Sequence, residues 1–326
     1  MRGFARLTET HAVPQRAGVA IDRGLTQICD TKTTPAARPD AMITQTQFLQ
    51  TDAATVGKGP VALLFAEDPV EVDSTIHHCV QLGFARIVVF LAPGIDAPTD
   101  QPPHVTLVRS PDIDIAATVN ACIQKFPDNT WVYYCFNAEY LYFPFCETRT
   151  IGEMLAFHTE ERRNAMISFV VDLYAPDLDQ YPQAVSIDHA RLDKSGYYAL
   201  ARTDPDDHNH PKERQLDFFG GLRWRYEEHI PKDRRRIDRV SIFRTKPGLK
   251  LASDFTFSIP EYNTYTCEWH HNLTAAICSF RTAKALKTNP GSRHDINSFV
   301  WHNSIPFAWH SQQLLDLGLI ETGQWF

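Results

Sequence analysis

Several places in this chain put ionisable side chains where an apolar run gives out, the position from which side chains reach a ligand in an open α/β sheet. Glu67-Asp68 follow Val61–Phe65, and Asp112-Ile113-Asp114 follow Val105–Val108. Asn137 and Glu139 follow Trp131–Phe136, and Asp172 stands near the end of Ile167–Tyr174. Carboxylates in such places can take a proton from a hydroxyl or hold a hard divalent cation through oxygen. Cations concentrate later: Lys212 to Lys250 carries twelve Lys/Arg against six Asp/Glu, in a chain of net charge −7. Within that segment Arg223 and Arg225 follow the pair Gly220-Gly221, and arginine forks suit phosphate oxygens. Fourteen histidines include close pairs at His208/His210 and His270/His271, with His302 and His310 further on. Such pairs can bind transition metals.

Each of these has a plainer reading. Asp112 and Asp114 precede a helix, where an acid serves as N-cap or first-turn charge, and that reading is preferred to a metal-binding Asp-x-Asp. Asp172, Asp217 and Glu268 are candidate bases, or acids in structural pairs; for Asp172 the partners would be Arg162, Arg163 or a tyrosine, because a buried acid needs one. Glu139 is a metal contact, an anchor for a bound ligand, or a carboxylate paired with an arginine. Glu67-Asp68 is a ligand contact or a solvated turn before Pro69. The run Arg234–Arg236 reads as a solvated, salt-bridged face. Trp269, Trp301 and Trp309 stack on a sugar ring or belong to the core.

The elements that must position these residues follow from hydrophobic period. Val61–Phe65, Arg86–Leu91, Val105–Val108 and Trp131–Phe136 are near-continuous apolar runs, the mark of strands buried on both faces. Between them, Val72, Ile76, Cys79 and Val80 define one helix face, stopped by Gly83, and Ile115, Val119, Cys122 and Ile123 define another. This alternation predicts a mostly parallel sheet with helices on both faces. Trp131 to Pro144 (WVYYCFNAEYLYFP) reads as one buried strand running out into an acid, aromatics and a proline stop. Further on, Gly152–Asn164 is predicted helical, Ile167–Tyr174, Gly196–Ala201 and Val240–Arg244 extended, and Asn272–Lys287 a single helix. Residues 1–57 show no lasting period and are expected to form a disordered arm, with Met42 as an alternative start; residues 58–326 are expected to form one domain.

At 326 residues, 43% hydrophobic and 22% charged, the composition is that of an ordinary globular protein. The acidic balance argues against general nucleic-acid binding. No apolar run approaches the ~18 residues of a membrane span, and no secretory segment opens the chain, so a cytoplasmic protein is expected, with peripheral membrane contact left open. The seven cysteines lack C-x-x-C spacing and are read as reduced core residues.

Five of these segments, in order, resemble the family-2-like glycosyltransferases. Val61–Asp68 with its helix and Gly83-Phe84 resembles their first strand, acidic turn and entry to the second strand. Ala117–Ile123, which contains Asn120, resembles the helix before the metal-binding strand. Trp131–Leu141 resembles that strand itself, with Phe136 and Ala138 standing where the family has the two aspartates of Asp-x-Asp. Phe219–Arg225 resembles a Gly-Gly-x-Arg turn, and Arg239–Arg244 the basic strand after it. The likeness spans roughly residues 58–280. It implies a Rossmann-like glycosyltransferase A-type fold, with a nucleotide half at about 58–145 and an acceptor half at about 146–326. It further implies transfer of a sugar from a nucleoside diphosphate sugar to a glycan or other hydroxyl. Donor contacts would come from Glu67, Asp68, Asn120, Asn137, Glu139, Arg223 and Arg225, the base from Asp172, Asp217 or Glu268, and any Mg²⁺ or Mn²⁺ from Glu139 and His270. Loss of the aspartates leaves two alternatives: a transferase that handles its diphosphate without the usual metal motif, or an inactive relative that binds a nucleotide, glycan or protein. A hydrolase built on the histidines is a more distant third.

Overall fold

The computed structural model describes residues 42–98, 101–265 and 272–325. The calls on residues 1–41, and on Cys267, Glu268, Trp269, His270 and His271, lie outside the described residues. The chain order is β1 (Ile43–Thr44), α1 (Gln45–Gln47), β2 (Val61–Ala66), α2 (Val72–Gln81), β3 (Arg86–Leu91), β4 (Val105–Arg109), α3 (Ile115–Lys125) and β5 (Trp131–Phe136). There follow β6 (Glu139–Tyr142), α4 (Ile151–Glu160), β7 (Ala165–Tyr174), β8 (Arg191–Asp193), β9 (Tyr198–Asp204), β10 (His210–Phe219) and α5 (Gly221–Arg225). The last elements are β11 (Asp238–Arg244), β12 (Ala275–Ser279), α6 (Arg281–Thr288), β13 (Ser304–Pro306) and α7 (Ser311–Asp316).

The architecture is α/β, built on one large mixed sheet of order β1-β4-β3-β2-β5-β11-β7-β12-β6, with β8 and β13 attached through β7. Its first half, β1 through β5, is parallel. Every side chain of β2 and β5 is buried, as their unbroken apolar runs require. β11 then runs antiparallel to both β5 and β7, and β12 parallel to β7. The carboxyl ends of β2, β3, β4, β5, β7 and β12 therefore share one edge. Alternate side chains feed two cores, Leu64, Val89, Tyr133 and Ile277 on one face and Leu63, Phe90, Tyr134 and Phe243 on the other. The cap of α3 follows the plainer reading: Asp114 accepts the Ala117 N–H at 2.9 Å. The five described cysteines other than Cys29 and Cys267 are free, four of them buried.

Three expectations are corrected. Residues 42–57 are not an irregular arm: Ile43 and Thr44 pair with Val108 and Arg109. Phe48 is 1% exposed, with its ring edge-on to Phe90 at 5.9 Å and to Phe126 at 6.4 Å. Burial of that one ring contributes roughly 1.5–3 kcal/mol, and the short, polar surroundings of Phe48 hide it from a period count. WVYYCFNAEYLYFP is not one strand running out but two strands. Ala138 takes a left-handed turn (φ 61°), and β6 then pairs antiparallel with β12. Asn272–Lys287 is not one helix. Ala275–Ser279 enters the sheet beside β7, and only Arg281–Thr288 is helical. The run AAIC fits a fully buried strand as well as a helix face, and period alone does not separate the two.

A candidate site at the carboxyl edge of the sheet

Asn137 organises the edge between β2 and β5. Its side chain is fully buried; Nδ2 donates to Asp68 Oδ1 at 2.7 Å and to the Val70 carbonyl at 2.8 Å, and Oδ1 accepts the Glu67 N–H at 3.0 Å. This fixes the acidic turn Glu67-Asp68 in space. Both acids meet cations from α6, the helix that follows β12. Arg281 forks onto the two Glu67 oxygens at 2.7 and 2.8 Å, and Lys284 reaches Asp68 at 2.8 Å. The Arg281 guanidinium also lies 3.7 Å from the Phe136 ring centroid, a favourable cation–π contact. Glu67, Asp68 and Asn137 are thus brought together as the sequence suggested.

Glu139 lies deeper. It is 1% exposed and pairs through both oxygens with Arg239 of β11, itself 5% exposed. The Phe136 N–H donates to Oε2 at 2.9 Å and Ser279 Oγ to Oε1 at 3.1 Å. Burial alone would raise this carboxyl, but the Arg239 guanidinium and the Phe136 N–H outweigh it and hold it below the usual glutamate range. Of the three readings given to Glu139, pairing with an arginine is the one observed. Its lone pairs are spent on protein donors, so Glu139 does not fit a Mg²⁺ or Mn²⁺ ligand. Among the described residues no group of three His, Cys, Asp or Glu is placed to hold a metal ion.

Asp172, at the same edge, is 1% exposed. Oδ2 accepts the Leu222 N–H at 2.8 Å, whereas Oδ1 has no hydrogen-bond partner. Burial pushes the carboxyl above the usual aspartate range, against the pull of Arg223. The Gly220-Gly221 turn presses on it: a Cβ on Gly221 (φ 59°) would come 2.6 Å from Oδ2. Among the described residues, none of the expected partners Arg162, Arg163 or a tyrosine bonds to Asp172: its observed donor is the Leu222 N–H. Arg223 acts on it through charge alone, its own donors going to Thr282 Oγ1 at 3.3 Å and to the Arg236 carbonyl.

The remaining calls are not at this edge network. Asn120 makes a reciprocal pair with the Leu251 peptide, donating to its carbonyl at 2.9 Å and accepting its N–H at 2.7 Å. It pins the segment after β11 to α3 and is not a donor contact. Asn120→Ala would leave both peptide groups of buried Leu251 unpaired. It is expected to cost about 1–3 kcal/mol in urea unfolding and to leave ligand affinity unchanged. Arg225 is bound to Asp193 at 3.2 Å and to the Phe299 carbonyl at 2.8 Å, with Trp301 stacked at 4.5 Å, a structural role. Asp217 pairs with Arg202 at 2.7 Å and Arg236 at 3.3 Å, so it is a member of an ion network and not a base. Trp309, partly buried, packs edge-on to Tyr140 at 4.9 Å, against the core.

Arg239, Ser279, Arg281 and Lys284 are the residues sequence reasoning left out of the site. Arg239 carried one signal: a cation inside the apolar strand IDRVSIF demands a buried counter-charge. Arg281 and Lys284 were obscured by reading β12 and α6 as a single helix. No protein-family model matches this chain and no curated protein matches it. Among the described residues, no helix is long and apolar enough to cross a membrane.

Proposed function

We propose that this chain is a family-2-like glycosyltransferase of the A-type fold, moving a hexosyl group from a nucleoside diphosphate sugar to a hydroxyl of a glycan or other acceptor. In this reading residues 58–145 serve the nucleotide and 146–326 the acceptor, in a cytoplasmic setting such as polysaccharide assembly. The observation that carries it is the pairing of Arg281 and Lys284 with the acidic turn Glu67-Asp68, itself held by Asn137, at the carboxyl end of a parallel sheet half, where such sheets take their ligands. The Arg281–Glu67 pair is about one-third exposed, at 31% and 33%. A diphosphate offers the guanidinium fork the same two-oxygen geometry with more charge, so it can replace Glu67 on Arg281. Side-chain cations then take the part that a divalent ion plays elsewhere. As the anomeric carbon–oxygen bond to the diphosphate breaks and the new glycosidic bond forms, Arg281 and Lys284 meet the charge on the leaving group. The acceptor proton passes to Oδ1 of Asp172.

A second reading, a catalytically silent relative that binds a nucleotide, glycan or protein, is favoured by the burial of Asp172 beneath Gly221. Calorimetry with a panel of nucleoside diphosphates, with and without Mn²⁺, tests the donor half. Binding is expected without Mn²⁺, and Arg281→Ala combined with Lys284→Ala should weaken it at least tenfold, about 1.4 kcal/mol. No binding in either buffer overturns the transferase proposal. Binding without release of diphosphate from any nucleotide sugar selects the silent relative.

A further inference from the structure

A sizeable cavity bordered by the described residues lies away from the edge network. It has a volume of about 960 Å³ and sits between β7, the β9–β10 hairpin and the segment Gly318–Glu321. Its floor is hydrocarbon: Phe169 and Val171 of β7, Leu216 and Phe218 of β10, and Leu319 with Ile320. The hairpin register explains the space. Leu216 faces Ala201 and Phe218 faces Ala199 across the two strands, and the small alanines leave room that larger partners would fill. The Phe218 ring packs on Phe169 at 4.4 Å and edge-on to Tyr265 at 5.8 Å, so the wall is braced. At the rim, β10 breaks register between Pro211 and Leu216, and Arg214 takes a left-handed backbone (φ 53°), held where its carbonyl accepts the Tyr265 N–H at 3.1 Å. Such a bulge re-aims side chains. Here Lys212 and Arg214 border the cavity, and among the described residues their ion contacts are long: 3.5 Å to Asp204 and 3.6 Å to the exposed Glu213. Glu321 is the carboxylate of the described lining. On β9, Tyr198, which also borders the cavity, stands 45% exposed.

We infer that this cavity is a binding site for a single long-chain amphipathic anion, an acyl or isoprenoid hydrocarbon ending in a carboxylate or phosphate. The floor accepts the chain, and Lys212 and Arg214 take the head. Gln215, Asn272 and Thr274 add polar groups to a lining whose hydrocarbon contact comes from Phe169, Val171, Leu319 and Ile320. The volume lies within the range of small-molecule sites, which are apolar with a few placed polar groups. The inference stands independently of the glycosyltransferase reading, since it uses none of the edge residues.

The test is titration of the full chain with oleate, dodecyl phosphate and uncharged oleyl alcohol, followed by displacement of a fluorescent anilinonaphthalene sulfonate. One saturable site is expected for the anions, with the alcohol at least tenfold weaker. Laurate against dodecyl phosphate, at equal chain length, distinguishes carboxylate from phosphate as the preferred head. Leu216→Trp, which fills the floor, should abolish binding. Lys212→Glu with Arg214→Glu, both at solvent-facing positions, should weaken anion binding at least tenfold and leave the alcohol unchanged. Absence of saturable binding by either anion overturns the inference. So does unchanged anion binding in the charge-reversed variant, which remains readable if Leu216→Trp fails to fold.

Discussion

Glu139→Ala is expected to destabilise the folded protein by about 3–5 kcal/mol, the usual cost of removing one member of a buried ion pair. The loss has identifiable parts. Arg239, 5% exposed, would keep its charge with no carboxylate, in a place where only the Tyr134 and Phe136 rings remain, at 5.5 and 5.4 Å. The Phe136 N–H and Ser279 Oγ would also lose their acceptor. Replacing both partners with apolar residues, Glu139→Leu with Arg239→Met, should recover most of the loss, because the penalty comes from the orphaned charge and not from the missing attraction. The pH dependence has a definite sign. The folded-state pKa of Glu139 lies below its unfolded value, so its contribution is fully present above the unfolded carboxyl range, about pH 4.3, and is lost as pH falls through the folded value. The gap between wild type and Glu139→Ala should therefore be widest near neutrality and narrow in acid. Urea unfolding at several pH values measures it, and a single variant as stable as the wild type at pH 7 would sink this account of the edge.

Asp172→Asn is expected to reduce sugar transfer by about 100- to 10,000-fold, the range for loss of a positioned general base, with nucleotide affinity kept within about threefold, well under 1.4 kcal/mol. The amide preserves the acceptor for the Leu222 N–H and removes only the capacity to hold a proton. Because burial raises the Asp172 pKa in the folded protein, the ionised base appears only as pH climbs above the ordinary aspartate value of about 3.9. The wild-type rate should rise through that higher folded pKa, and the variant should lose this rise. The same shift predicts a stability term of opposite sense to that of Glu139: the folded state holds the Asp172 proton more tightly, so this group favours folding in acid and costs stability as pH increases. Transfer at wild-type rate by Asp172→Asn would remove Asp172 from catalysis. Failure of both proteins to turn over any donor would leave the binding role as the surviving reading.

Much of the parallel half was legible in the residues themselves. β2, β3 and β5 are read nearly to their ends, because strands buried on both faces must be continuously apolar and because Gly83 and Asp114 punctuate the helices between them. The acid turn Glu67-Asp68 and the residues Asn137, Glu139 and Asp172 were likewise found by their place at strand ends. What the chain alone left open was which acid meets which cation. Glu139 and Arg239 are a hundred residues apart, and Glu67 and Arg281 more than twice that. Local period carries no information about such pairings; they exist only once β11 is inserted antiparallel between β5 and β7 and β12 is laid beside β7. The same insertion decides that Asn120 holds the Leu251 peptide and that Asp217 belongs to an ion network. The residue sequence by itself determined an α/β protein whose buried strand Trp131–Phe136 is followed by Asn137, Ala138 and a single acid, Glu139. Tertiary packing alone decided that this glutamate is neutralised from within, and that Arg281 and Lys284 stand at the sheet edge. Long-range charge pairing is a property of the assembled sheet, since burial makes an ion pair strong and neither partner is buried until the strands have met.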